Sequence, residues 1–147
     1  MDKLSKYKSK RKKESPEPVG GGVNDKPVFV IQEHHASHLH WDLRLEMGGV
    51  LKSWAVPKEP PTETGIRRLA VQTEDHPLDY ATFEGMIPKG HYGAGTVKIW
   101  DAGPVEYKSS SDDKIEFILK GKKMKGPYAL IRFKKAGPRN WLFFRRN

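Results

Sequence analysis

From Pro27 onward, apolar and β-branched positions recur in short runs, several of them strictly alternating, and no stretch sustains the 3.6-residue period of an amphipathic helix. The pattern predicts strands over 28–32, 39–46, 50–56, 69–73, 81–84, 96–100, 105–108, 115–119, 128–133 and 141–145, with Gly48 and Gly49 as a tight hairpin turn. Residues 57–68 read as a loop or a helical turn. Many short strands at close spacing predict an all-β chain, a compact antiparallel β-barrel with short helical or loop segments, because closure removes exposed edges. The sharpest alternation is 39–46. As a strand it puts His40, Asp42, Arg44 and Glu46 on one face and Leu39, Trp41, Leu43 and Leu45 on the other, where they anchor the strand on the core.

Residues 1–26 differ in kind. They hold few apolar side chains, a basic cluster at 8–13, then Ser15, Pro16, Glu17, Pro18 and three consecutive glycines, which predicts a flexible basic arm ahead of one domain over 27–147. At 147 residues and 36% hydrophobic content the chain can bury one modest core. Its charge of +9 is divided unevenly: +6 over 1–13 and +10 over 120–147, which leaves −7 between them. Basic ends around an acidic, histidine-bearing middle suit a metal centre beside surfaces that attract a polyanion. With no cysteine, thiolate metal sites, disulfides and Cys nucleophiles are excluded, and His and carboxylates remain as ligands. No apolar run is long enough to cross a bilayer and no leader precedes the arm, so the expectation is a cytoplasmic protein with no membrane partner.

His40 and Asp42, two apart on a strand, point the same way and can share one ion if a neighbouring segment adds a third ligand. The nearest source is Gln32, Glu33, His34, His35, Ala36, Ser37, His38. With 28–34 as the preceding strand, Gln32 and His34 share a face, and His35 and His38 read as surface residues. Two imidazoles and a carboxylate without sulfur favour Mn, Fe(II), Co or Zn and leave positions open. Arg44 beside them offers a fork of donors that matches phosphate oxygens. In Glu74, Asp75, His76, Pro77, Leu78, Asp79, Tyr80, His76 can contact phosphate or act as a general acid, and Tyr80 can donate to a non-bridging oxygen. The turn at 88–95 lacks the spacing of a phosphate-cradling loop and reads as a corner. Two rival classes fit part of this pattern. One is an Fe(II) oxygenase with His40, Asp42 and His91 as a facial triad. The other is a non-catalytic nucleic-acid-binding barrel in which Tyr128, Phe133, Trp141, Phe143 and Phe144 stack on bases.

Taken in order, the blocks Phe29-Val-Ile-Gln-Glu-His34, Leu39-His-Trp-Asp-Leu-Arg44-Leu-Glu46, Gly49-Val-Leu-Lys-Ser-Trp-Ala-Val-Pro57-Lys58, Glu74-Asp-His-Pro-Leu-Asp-Tyr80, Phe83-Glu-Gly85, Ile87-Pro88 and Gly90-His-Tyr-Gly-Ala-Gly95 resemble the 3′-phosphoesterase domain of bacterial DNA ligase D, in its stand-alone form. The resemblance covers about 27–147. It implies a β-barrel that trims DNA 3′ ends for end joining, removing a 3′-terminal ribonucleotide and then a 3′-phosphate to leave a 3′-OH. His34, His40 and Asp42 would bind Mn²⁺, or Co²⁺ or another divalent transition metal. Arg44 and His76 would contact the scissile phosphate and Tyr80 would assist. Gln32 and Glu74 would be accessory, and Lys58 and Arg68 would touch the nucleic-acid backbone. The implied substrate is DNA or a primer–template with a 3′-terminal ribonucleotide or 3′-phosphate, and the implied partners are a separate DNA ligase and polymerase. In the arm, Arg11 and Glu17 match the family's blocks and Arg11 is a further candidate contact, but Lys12 and Lys13 stand where the family has an acid and an aromatic.

Overall fold

The computed structural model describes residues 26–91 and 94–147. The basic arm, with Arg11 and Glu17, lies outside the described residues, as do Tyr92 and Gly93 of the 88–95 corner. Nine strands carry the fold: β1 (Val28–His35), β2 (Leu39–Met47), β3 (Val50–Val56), β4 (Arg67–His76), β5 (Gly85–Ile87), β6 (Gly95–Ser110), β7 (Lys114–Lys120), β8 (Lys125–Arg132) and β9 (Asn140–Arg145). Two short 3₁₀ turns, η1 (Leu78–Thr82) and η2 (Lys134–Ala136), sit between them. The antiparallel order is β1-β2-β3-β4-β9-β8-β7-β6-β5, and β1 also pairs with β6. That last pairing closes eight strands into a barrel and leaves β5 as a short flap on the start of β6.

Alternation decides what fills the barrel. Phe29, Ile31, Leu43, Leu45, Trp54, Val56, Phe117, Leu119, Tyr128, Leu130 and Phe143 point inward and form one buried cluster, with Trp54 and Trp141 edge to face at 5.7 Å. Tyr128, Trp141 and Phe143 are therefore core residues, not a stacking surface. Their rings are sealed inside, and among the five aromatics of that reading Phe133 (38% exposed) and Phe144 lie outside the core cluster. Leu43 and Leu45 anchor β2 as expected, but Leu39 is 42% exposed because β2 begins beyond the rim of the core.

Two strand assignments change. The segment 81–84 is not a strand: η1 occupies Leu78–Thr82, and pairing begins only at Gly85. The Glu84 carboxylate accepts a hydrogen bond from the Ile99 N–H at 2.7 Å, so a side chain holds the β6 edge where backbone pairing stops. The segments 96–100 and 105–108 are one 16-residue strand. Gly103 and Pro104 do not end it; they lie where β6 passes from its pairing with β1 to its pairing with β7. Of the 57–68 stretch, 57–66 is an extended loop with a single bridge, Thr64 to Arg145, while Arg67 and Arg68 already open β4; the loop's Pro61 carbonyl accepts from the buried Tyr128 hydroxyl at 2.9 Å.

Gly95 shows how closely the sheet is built next to the histidines. It opens β6 at φ +130°, and a Cβ there would run into the carbonyl of His35. Both terms oppose any larger residue, so Gly95→Ala is expected to lower stability by about 1–3 kcal/mol, read as a drop in the denaturation midpoint.

Candidate metal and phosphate site

The hairpin register sets the site. Two glycines at positive φ (61° and 84°) make the β2–β3 turn, which places Arg44 opposite Ser53 and Asp42 opposite Ala55. The β1–β2 pairing places Gln32 opposite Asp42 and His34 opposite His40. Directly opposed residues share a face, so Gln32, His34, His40, Asp42, Arg44 and Ser53 form one polar patch on the side of the sheet away from the core. The segment with η1 folds over this patch. The Gln32 side-chain amide donates to the carbonyls of Tyr80 (2.9 Å) and Phe83 (3.1 Å), and the Tyr80 and Phe83 rings stack at 4.9 Å. Under that cover Gln32, His34, Asp42, Arg44 and Ser53 are all buried.

His34, His40 and Asp42 bring one ligand atom each to within 4.8 Å of one another. His34 Nδ1 stands 3.6 Å from Asp42 Oδ2, and His40 Nε2 stands 3.3 Å from Asp42 Oδ1. Ligands at 2.0–2.2 Å from a common ion sit about 3–3.5 Å apart; each histidine is already near that distance from one oxygen of Asp42, and the widest pair of the set must draw closer for all three to share one ion. His40 Nδ1 lies 3.1 Å from the His38 carbonyl. Donation to that oxygen fixes the tautomer and leaves the Nε2 lone pair for coordination. Burial pushes the Asp42 carboxyl up, but the His40 hydrogen bond and the Arg44 charge together hold it below the ordinary value. The hydrogen bond to Asp42 raises His40. His91 is exposed and stands outside this cluster, so the facial triad is not assembled.

Arg44 is held from several sides. Its Nε donates to Gln32 Oε1 (2.6 Å), one terminal nitrogen donates to Ser53 Oγ (2.8 Å), and the other stands 3.5 Å from Asp42. Its guanidinium lies over the Tyr80 ring at 4.8 Å and reaches His76 Nδ1 at 3.1 Å. Ser53 is missing from the candidates that the sequence suggests. Its signal is the hairpin count, since pairing outward from the two-glycine turn sets it against Arg44. His76 is brought in by a bulge that shifts the β3–β4 register between Leu51 and Ser53. Burial, and then the Arg44 charge, lower its pKa below 6.5. A neutral His76 that accepts from Arg44 at Nδ1 carries its proton on Nε2, a donor for an anion. Burial raises Tyr80, which keeps its hydroxyl protonated.

The His76 shift has a measurable consequence. An NMR titration of the metal-free protein is expected to give His76 a midpoint below 6.5, while His40 titrates above it. The linkage signs are opposite. The stability linked to His76 is complete above pH 6.5 and is lost as pH falls through its folded value; that linked to His40 is complete below 6.5 and is lost as pH rises through its own.

The remaining candidates separate. Glu74 is exposed, and its carbonyl lies 3.1 Å from His76 Nδ1. Lys58 is exposed two residues beyond Val56, which pairs with Trp41, and so lies toward the His40 side. Arg68 lies far along β4 from His76, but its Nε donates to the carbonyl of Glu59, the residue after Lys58, so it sits with Lys58 at the end of the sheet toward His40.

Residues 32–132 match the family model described as the DNA Ligase D 3′-phosphoesterase domain. The multifunctional non-homologous end joining DNA repair protein LigD of Mycobacterium tuberculosis (strain H37Rv) is 49% identical over 139 residues, 89% of this chain and 18% of that protein. Its counterpart in Mycolicibacterium smegmatis is 50% identical over 161 residues, 98% of this chain and 20% of that protein. The multifunctional non-homologous end joining protein LigD of Pseudomonas aeruginosa is 45% identical over 150 residues, 95% of this chain and 18% of that protein. This chain thus spans about a fifth of the length of the curated relatives it matches. Among the described residues no helix is long and apolar enough to cross a membrane.

Proposed function

The chain belongs to the DNA ligase D 3′-phosphoesterase family, and on that premise we propose that it is a metal-dependent hydrolase that heals DNA 3′ ends for end joining. The observation that carries this reading is the convergence, on one sheet face, of a two-imidazole, one-carboxylate set with a buried guanidinium 3.5 Å from its carboxylate and an imidazole 3.1 Å from that guanidinium. Such a face can hold a metal and a phosphate side by side. His34, His40 and Asp42 would hold Mn²⁺ or another divalent transition metal, and the ion would supply Lewis-acid polarisation of a phosphate oxygen. Arg44, kept in place by Gln32 and Ser53, would bind the non-bridging oxygens and stabilise the charge that grows on them. His76 would donate from Nε2 to the same phosphate, and Tyr80 would add its hydroxyl. Glu74, whose carboxylate charge favours the protonated form of His76, would be accessory, and Lys58 would meet the neighbouring backbone.

Water would be added twice across a P–O bond. The first hydrolysis releases a terminal ribonucleoside and leaves a 3′-phosphate; the second releases inorganic phosphate and leaves a 3′-OH for a separate polymerase or ligase. A terminal 2′-OH is the group that distinguishes the RNA end from DNA. The test is a labelled primer–template ending in a ribonucleotide, a deoxynucleotide or a 3′-phosphate, incubated with Mn²⁺, Co²⁺, Zn²⁺ or excess chelator. Conversion of the ribonucleotide and 3′-phosphate ends is expected with metal, and none with chelator. Binding without conversion under every metal would instead favour the non-catalytic barrel.

A further inference from the structure

The Arg44 row continues across the sheet past the phosphate site. Arg44 opposes Ser53, Ser53 opposes Thr73, and the strand beyond is β9 with the loop at 134–139 before it. At about 4.8 Å per strand, Thr73 lies about 10 Å and the loop about 14 Å from the Arg44 backbone. Between β4 and this loop is an open pocket of about 550 Å³, lined by Gln72, Thr73, Glu74 and Arg139. His76 follows the lining residue Glu74 by two positions on β4.

The loop is built to hold its shape while presenting cations. The Gln72 N–H donates to the Arg139 carbonyl (2.8 Å), Arg132 donates to the Pro138 carbonyl (2.8 Å), and the Gly137 N–H donates to the Lys134 carbonyl (3.0 Å). The Asn140 N–H closes the loop on Gly137 at 3.2 Å. Arg132 is a structural cation, tied to Asp113, the Asp112 carbonyl and the Trp141 ring. Lys135 and Arg139 are different: both are exposed, and neither forms an ion pair among the described residues. Lys134, 70% exposed, stands 3.6 Å from Asp113, a surface pair that holds it weakly. The hydrogen bonds that shape the loop use none of these three charges.

We propose that the loop at 134–139, with the pocket beside it, is a second anchoring site that binds the nucleic-acid backbone next to the reactive 3′ end. The proposal rests on the phosphoesterase reading of the neighbouring site. Arg139 and Lys135 take phosphates one or two removed from the scissile one, and the exposed Glu74 on the β4 wall repels phosphate and keeps the backbone on the Arg139 side. Fixed cations beside a shallow polar pocket position a strand without reading its sequence.

The test compares the wild type with a Lys134→Ala, Lys135→Ala, Arg139→Ala variant. Binding of a fluorescent primer–template with a 3′-phosphate is followed by anisotropy in chelator between 50 and 200 mM salt. The variant is expected to bind about ten-fold more weakly at the low-salt end, with a log–log salt slope shallower by about two, roughly one for each phosphate left without its cation. Arg139→Lys in the wild-type background should keep the slope. In turnover with Mn²⁺, KM for the primer–template should rise about ten-fold more than KM for a nucleoside 3′-phosphate, which is too short to reach the loop. An unchanged slope overturns the proposal, and so does an equal loss on both substrates, which would make the loop a mere support for His76. If the wild type shows the slope and the variant loses it, yet neither releases phosphate under any metal, the anchoring site stands and the phosphoesterase reading falls.

Discussion

Arg44→Ala is expected to lower kcat for 3′-phosphate release by about 10²–10³, the usual loss when one preorganised donor to a developing oxyanion is removed. Arg44 stands at the upper end of that range because so much of the site is arranged around it. Gln32 and Ser53 fix two of its nitrogens, Tyr80 covers its face, and Asp42 and His76 lie on either side. Removing it takes away a phosphate donor. It also leaves the buried Asp42 carboxylate with one fewer cation and relieves His76 of the charge that helps to lower its pKa. The same variant should therefore move the His76 titration midpoint upward, a readout independent of turnover. Arg44→Lys should recover little, because an ammonium cannot span Gln32, Ser53 and His76 from one planar fork. A kcat within a few-fold of wild type in either variant would remove Arg44 from the chemistry.

The parts of this site that are legible in the sequence share one property: their positions follow from counting along antiparallel strands. The period of two puts His40, Asp42 and Arg44 on one face, and a short turn is enough to bring His34 beside His40. The two-glycine turn fixes Arg44 against Ser53 by the same count, although a lone hydroxyl between Lys52 and Trp54 draws no attention of its own. What counting cannot supply is anything set by irregular backbone. The β3–β4 bulge that brings His76 to Arg44 adds a residue to one strand, and no local pattern marks it. The cover made by Tyr80 and Phe83 depends on η1, where aromatic and small residues read as a strand until Gln32 is seen to hold two of the segment's carbonyls. The C-terminal aromatics mislead for a related reason. Alternation shows that Trp141 and Phe143 share a face, but only barrel closure decides that this face is the inside.

Asp42→Asn is expected to have the largest effect of any single change. Asp42 joins the metal ligands to the phosphate clamp: it lies 3.6 Å from His34, 3.3 Å from His40 and 3.5 Å from Arg44. Removing a partner that only orients a metal ligand costs about 10–100-fold in metal affinity or activity, so losing the charged ligand itself should cost more than that. The amide keeps the size of the side chain, and the strand is anchored by Leu43 and Leu45 on the opposite face, so the fold should persist with a native melting transition. The metal-free protein offers a second signature. The hydrogen bond to Asp42 is the main cause of the raised His40 pKa, so the variant's His40 midpoint should fall, leaving burial and the Arg44 charge opposed only by the His38 carbonyl. Mn²⁺ affinity by calorimetry and His40 titration by NMR should change together. Metal binding and turnover retained at wild-type levels, with His40 shifted as expected, would show that the acid–histidine pair serves the fold and that the metal is held elsewhere.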